Sequence, residues 1–155
     1  MLIKSIVCIF LCLSAGGIGS AFTAAAIPDW YAALAKPSFS PPNWLFAPVW
    51  TFLYIMMGLA AALVWKKGLE YPQVRGALVV FLIQLILNMA WSVLFFGLRS
   101  PLYGLIDILF LWAMILVTIA RFSKVSTPAA LLLIPYLLWV TFASGLNLGI
   151  FLLNR

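Results

Sequence analysis

Long apolar runs dominate the chain, and short polar or proline-rich stretches separate them. Five of these runs approach the roughly twenty residues that a helix needs to cross the hydrocarbon core of a bilayer. They lie at about residues 2–26, 44–65, 77–98, 101–122 and 127–153. No strand-like alternation of apolar and polar positions recurs, which argues against a membrane barrel. The pattern predicts an all-α integral membrane protein, folded as a single five-transmembrane-helix bundle.

Residues that start helices flank two of the runs. Ser100 precedes Pro101, and Ser126 stands two residues before Pro128. A serine hydroxyl accepts hydrogen bonds from the free N–H groups of a first helical turn, and proline lacks the N–H that this turn leaves unpaired. Pro135 lies inside the fifth run and is expected to kink that helix.

The first run has two interpretations. Lys4, an apolar stretch and the small residues "AFTAAA" fit a cleavable signal peptide. The run is long, however, and carries Gly16, Ser20 and Ala24 at four-residue spacing. Because such a small-residue face lets another helix approach closely, a retained helix is the favoured interpretation.

Composition and charge support a membrane protein. Of 155 residues, 66% are hydrophobic and 8% charged, whereas soluble domains are about half apolar and about a quarter charged. The net charge is +6, but the basic residues stand singly or in pairs at the ends of the runs. Nucleic-acid binding needs a clustered basic face, so it is not expected.

The distribution of basic residues predicts the orientation in a plasma or inner membrane. The N-terminal side would hold Lys4, Lys66, Lys67, Arg75, Arg121 and Lys124, and the opposite side Lys36, Arg99 and Arg155. Because cytoplasmic segments are enriched in lysine and arginine, the N-terminus is predicted to be cytoplasmic and the first loop to lie on the opposite side.

Few side chains could carry metal or acid–base chemistry. The chain has no histidine, and its acids are scattered, so no metal site and no required cofactor are expected. Cys8 and Cys12 are four residues apart on one helix, a poor geometry for a disulfide, and are interpreted as buried free thiols. Asp107, the acid inside the fourth run, is expected to be stabilised by its helix N-terminus and Arg99.

Aromatic, small and amide residues share faces on three helices. The faces comprise Trp50, Tyr54 and Gly58; Gln84, Asn88 and Trp91; and Trp139, Ala143 and Asn147. Lipid cannot hydrogen-bond an amide, so these faces must meet protein, a cavity or a ligand. One interpretation is polar adhesion between helices. The other is a pocket with flat aromatic walls, suited to a planar and largely apolar ligand.

Several long segments resemble the TspO/translocator protein family, also called tryptophan-rich sensory proteins or peripheral-type benzodiazepine receptors. The segments are "WYAALAKPSFSPPNWLFAPVWTFLYIMMG" (residues 30–58), "QLILNMAWSVLFFGLRS" (84–100), "DILF" (107–110) and "PYLLWVTFASGLN" (135–147). The resemblance implies a homodimer of five-helix bundles, with a pocket near the first loop and residues 27–43 as its lid. It also implies protoporphyrin IX, haem, sterols and benzodiazepine-like drugs as ligands.

Carried over motif by motif, the resemblance implies seven ligand-binding residues: Tyr31, Trp50, Asn88, Trp91, Trp139, Ala143 and Leu146. Trp50 and Trp139 match the pair associated with porphyrin degradation in the family. The chain departs from the pattern at two positions. Leu148 stands where the sterol motif of animal members has its tyrosine, which puts sterol binding in doubt, and Phe39 replaces a common tryptophan.

These features favour a membrane receptor or carrier that binds tetrapyrroles, protoporphyrin IX or haem, with a regulatory or stress-sensing role. One alternative is an enzyme that degrades protoporphyrin IX oxidatively in light, with Trp50 and Trp139 as its catalytic residues. The other is a transporter of sterols or other small molecules.

Overall fold

Five helices are long and apolar enough to cross a membrane in a computed structural model that describes residues 1–155. They are α1 (Leu2–Tyr31), α2 (Asn43–Trp65), α3 (Pro72–Gly97), α4 (Pro101–Ser123) and α5 (Thr127–Leu153). The chain contains no strand. The predicted all-α class is therefore confirmed, and the apolar side chains on the outer faces are those that hydrocarbon would solvate.

Two helices extend beyond the runs that predicted them. The first continues past Ala26 through a π-helical turn, Ile27–Tyr31, which accommodates a proline within its first two residues. The third begins at Pro72, where its missing N–H is harmless, and not near residue 77. Val74 in this added turn is 1% exposed, so core packing explains the earlier start.

The predicted serine caps are confirmed, and the fifth helix is interrupted next to the proline where a kink was predicted. The Ser100 hydroxyl accepts a hydrogen bond from the Tyr103 N–H at 3.2 Å, and the Ser126 hydroxyl accepts one from the Ala129 N–H at 3.4 Å. The fifth helix is interrupted at Leu133, just before Pro135, because proline cannot donate the hydrogen bond that would continue the helix.

The helices form a closed ring in which α1 packs against α2 and α3, α2 against α5, and α4 against both α3 and α5. Glycine lets α1 and α2 approach closely, since Gly58 lies directly against the backbone of Ile9. Gly16 likewise lies against the ring of Tyr54. Gly58 therefore serves a helix crossing and not the pocket face to which its spacing assigned it.

The two ends of the bundle differ in charge. The Lys4 ammonium donates to the Trp65 carbonyl at 3.4 Å, which places the start of α1 beside the end of α2. At the other end, Asn154 is hydrogen-bonded to Ala35, so the C-terminus lies beside the first loop. We call these the basic end and the loop end. Because consecutive helices run in opposite directions, six lysines and arginines lie at the basic end and three at the loop end, the division expected from the sequence.

A buried hydrogen-bonded chain joins α2, α3 and α5 at mid-bundle. The Tyr54 hydroxyl donates to Asn88 Oδ1 at 2.6 Å, and Asn88 Nδ2 donates to the Tyr136 hydroxyl oxygen at 2.8 Å. The Tyr136 hydroxyl in turn donates to Gln84 Oε1 at 2.8 Å. All four side chains are buried, so polar adhesion between helices is confirmed for this part of the stripes.

The charges near the loop end pair differently from the expectation. Arg99 forms an ion pair with Asp29 at 3.3 Å and does not neutralise Asp107. Asp107 is buried, and its Oδ2 atom has no hydrogen-bond partner. Arg99 stands beyond the end of α3 with a positive φ of 53°, which turns its side chain towards α1. Cys8 and Cys12 are buried and free, as predicted.

We predict that Tyr136→Phe destabilises the bundle by about 1–2 kcal/mol, because Asn88 Nδ2 and Gln84 Oε1 both lose a buried partner. Unfolding of the purified protein in a series of mixed denaturing micelles would measure the change. Tyr103→Phe is the matched control, since Tyr103 is 52% exposed and its hydroxyl is unbonded. Equal unfolding midpoints for the two variants would contradict the prediction.

Candidate ligand-binding site

A cavity of about 450 Å³ lies between α1, α2, α3 and α5 in the loop half of the bundle. All seven residues proposed from the sequence line it: Tyr31, Trp50, Asn88, Trp91, Trp139, Ala143 and Leu146. Four separate helices contribute them, so only the folded bundle brings them together. Gln84 does not reach the cavity, because its amide is held in the core by Tyr136.

The floor of the cavity continues the buried hydrogen-bonded chain. Trp50 stacks on Tyr54, with ring centroids 5.6 Å apart and an angle of 29° between the planes. Its edge also meets Tyr136 at 6.3 Å. Because Asn88 holds the hydroxyl groups of both tyrosines, the same amide that joins the helices also fixes the surface beneath the Trp50 ring.

Trp91 is fixed on the opposite wall by its nitrogen. Its indole N–H donates to Asn147 Oδ1 at 3.0 Å, and Asn147 Nδ2 donates to the Pro101 carbonyl at 2.9 Å. The ring also stacks on Phe95, with centroids 5.2 Å apart and planes 24° apart. Three helices therefore hold one indole in a single orientation.

Trp139 has no comparable tether. Its Nε1 atom is buried without a hydrogen-bond partner. The ring packs edge-on against Phe46 at 6.1 Å and tilted against Phe142 at 5.5 Å. Apolar contacts alone determine its orientation, so the cavity combines a tightly held tryptophan with a loosely held one.

The non-helical part of the first loop, residues 34–42, does not line the cavity directly. It covers Tyr31, which does line the cavity. The Lys36 ammonium lies 4.8 Å from the centre of the Tyr31 ring, and Tyr31 is only 3% exposed. Phe39 meets Phe142 edge-on at 6.1 Å, behind the wall that Trp139 forms. The loop thus covers the site through Tyr31 and Phe142.

Two contacts fasten this loop to the end of α5. The Asn154 amide accepts from the Ala35 N–H at 3.0 Å and donates to the Ala35 carbonyl at 2.8 Å. Pro37 lies directly against Gly149, where any side chain would displace it. Proline-limited freedom and a two-point amide contact hold the loop closed over the bundle.

Sequence reasoning missed the contribution of α1. Seven of its residues line the cavity before Tyr31 is reached: Leu13, Gly16, Gly17, Ser20, Thr23, Ala24 and Ile27. The small residues among them suggested a helix-packing face. Gly16 does lie against the Tyr54 ring, whereas a side-chain carbon at Gly17 would meet nothing within 4 Å. Phe46, Phe95, Phe96 and Ile150 also line the cavity, although no periodic pattern distinguished them from ordinary apolar residues.

The cavity wall is aromatic, aliphatic, amide and hydroxyl in character, and no charged side chain lines it. Nowhere in the chain do three or more histidine, cysteine, aspartate or glutamate side chains form a metal-binding group. Such a wall binds a ligand by stacking, apolar contact and a few hydrogen bonds. It therefore suits a flat, largely apolar molecule.

Comparison with known proteins gives one consistent result. The sequence profile of the TspO/MBR family matches residues 8–153. The "Tryptophan-rich protein TspO" of Chlorobaculum tepidum is 53% identical over 147 residues, covering 95% of this chain and 93% of the relative. The "Translocator protein" of Homo sapiens is 40% identical over 131 residues, covering 84% and 78%.

A third relative, the "Tryptophan-rich sensory protein" of Cereibacter sphaeroides, is 36% identical over 146 residues, covering 92% of this chain and 88% of its own length. The match extends well beyond the quoted motifs and covers four spans completely and α1 from residue 8 onwards. This chain is a multi-pass integral membrane protein and belongs to the TspO/MBR family.

Proposed function

We propose that this protein is a membrane receptor that binds tetrapyrroles such as protoporphyrin IX and haem, and that occupancy of its cavity serves a regulatory or stress-sensing role. The observation that carries the proposal is the cavity itself, which is uncharged, built from four helices and walled by three tryptophans. The sensory name of one relative agrees with this role.

The ligand chemistry follows from the wall. Trp91 is held by a hydrogen bond, and Trp50 lies stacked on the hydrogen-bonded Tyr54, so a flat macrocycle would find stacking surfaces already ordered and would lose little free energy in ordering them. Lys36 supplies a positive charge beside Tyr31 at the loop end. A tetrapyrrole has an apolar ring and carboxylates on one side, which matches this division into apolar cavity and basic margin.

The structure gives less support to a transporter. Below Tyr54 and Asn88 the bundle is filled by fully buried side chains, among them Met57, Phe81 and Phe122. Phe81 and Phe122 stack with centroids 5.8 Å apart. These apolar side chains fill the core on the side of the basic end, where a conducting pore would need a polar lining.

Protoporphyrin at micromolar concentration is expected to quench the tryptophan fluorescence of the purified protein. Ala143→Phe should weaken binding by about tenfold or more, since a ring placed at this 7%-exposed lining position fills the cavity. Ala113→Phe is the matched control on the outer face of α4, away from the cavity. Absence of quenching in the parent protein, or equal affinity in the two variants, would refute the receptor proposal.

A second function, light-dependent oxidative breakdown of protoporphyrin by dioxygen, is favoured by the two oxidisable indoles of Trp50 and Trp139 in the cavity wall. If it operates, illumination should bleach the Soret band of bound protoporphyrin, and darkness should preserve it. Trp50→Phe and Trp139→Phe should slow the bleaching, whereas Trp44→Phe should not, because Trp44 is 71% exposed and does not line the cavity. Equal rates for all three variants would exclude these indoles as the reacting groups.

We also propose that the basic end faces the cytoplasm, because six of the nine lysines and arginines lie there. In a bacterial inner membrane, alkaline phosphatase fused after Arg155 should then be active, and a green fluorescent protein fused at the same position should stay dark. The opposite pair of results would reverse the orientation.

A further inference from the structure

The residues that line the cavity differ sharply in exposure from one helix to another. Every lining residue on α3 and α5 is buried or half-buried. The exposed lining residues are Leu13, Gly17, Ser20 and Ala24 on α1, and Asn43, Ala47 and Thr51 on α2. The cavity therefore opens to the outside between these two helices.

The packing of α1 and α2 explains where the opening begins. The helices touch closely at Gly58 and Ile9, and again where Gly16 lies against Tyr54. Because the helices are antiparallel, residues 17–24 of α1 face residues 43–51 of α2 beyond that contact. Both stretches line the cavity, so the two helices border the opening without closing it.

Small side chains border this opening. We call its borders, Gly17, Ser20 and Ala24 on one side and Ala47 and Thr51 on the other, the lateral gap. The positions on α1 follow a helical repeat of three and four residues, so they form one continuous edge about 10 Å long. The other two exposed lining residues, Leu13 and Asn43, precede these stretches along their helices.

The lateral gap faces lipid and not water. Gly17 lies near the middle of α1, fifteen residues after Leu2 and fourteen before Tyr31. Ile18 and Phe52, next to the gap on the two helices, are each 53% exposed and would contact acyl chains. The gap thus opens into the hydrocarbon of the bilayer half nearer the loop end.

The path from water at the loop end into the cavity is closed, in contrast to the lateral gap. The loop is fastened to α5 by the two hydrogen bonds between Asn154 and Ala35 and by the contact of Pro37 with Gly149. It covers Tyr31, whose ring is almost fully buried. Entry from the loop end would break these contacts, whereas entry through the lateral gap would break none of them.

We propose that the ligand enters and leaves the cavity sideways from the bilayer, through the lateral gap between α1 and α2. The inference rests on the proposed receptor function and specifies its ligand class: a flat amphiphile that partitions into the membrane. Such a molecule passes edge-on between the small residues, while its carboxylates stay near the headgroups at the loop end.

Bulky substitution at the gap provides the test. Ala24→Phe should slow both association and dissociation of protoporphyrin by about tenfold in lipid vesicles, measured by stopped-flow tryptophan quenching. The dissociation constant should change much less, because an obstacle in a passage affects both directions alike. Ala25→Phe is the matched control, since Ala25 is the next residue, is exposed and does not line the cavity.

A loosened loop provides the second arm. Asn154→Ala removes both hydrogen bonds to Ala35 and should leave the association rate unchanged. Faster association in this variant, together with equal rates for Ala24→Phe and Ala25→Phe, would overturn the lateral route and assign entry to the loop. A parent protein that binds no protoporphyrin would overturn the receptor function as well, so the two failures are distinguishable.

Discussion

Hydrocarbon offers no hydrogen-bonding partner, and this constraint organises the interior of the bundle. Buried amides must find partners within the protein, and Asn88 and Asn147 find both donors and acceptors on neighbouring helices. Gln84 finds one through Oε1 alone, since its Nε2 atom has no partner. Asn88 joins two tyrosines from α2 and α5, so its placement fixes both the helix arrangement and the floor of the cavity. Stability and binding surface thus depend on the same side chain.

The bundle divides into a packed half and an open half, and residue size accounts for the division. Towards the basic end, Gly58 on α2 lets α1 approach until the two backbones lie against each other, and buried alanines and large apolar residues fill the core. Towards the loop end, the two helices no longer close on each other, and aromatic rings line the space without filling it. The dense half provides a rigid support on which the open half can remain hollow.

Much of this architecture could be predicted from the sequence, because length, hydropathy and caps are local signals. The serine caps and the interruption before Pro135 follow from the chemistry of single residues. The seven cavity residues were reached by helical spacing together with the family resemblance. Periodicity shows which residues share a face, but it does not show which neighbour that face will meet.

The sequence predictions that were wrong concern the neighbours of a residue, which periodicity does not show. Gly58 shares a face with Trp50 yet lies too far along the helix to reach the cavity, and it meets Ile9. Arg99 forms its ion pair with Asp29, seventy residues away in sequence, and not with Asp107, because the chain reverses beyond α3. Gly16, Ser20 and Ala24 of α1 were interpreted as a contact surface for another helix, and all three line the cavity.

Trp91 and Trp139 differ in how firmly their rings are held, and this difference bears on the range of molecules that the cavity could bind. Trp91 is held by a hydrogen bond and a stacked ring, so it presents a constant surface. Trp139 is held only by ring contacts with Phe46 and Phe142, and its rotation would break no hydrogen bond. A cavity wall with one fixed tryptophan and one that can rotate would accommodate ligands of different thickness and outline at little cost in free energy. Ligands of different shape would then need no separate pocket each.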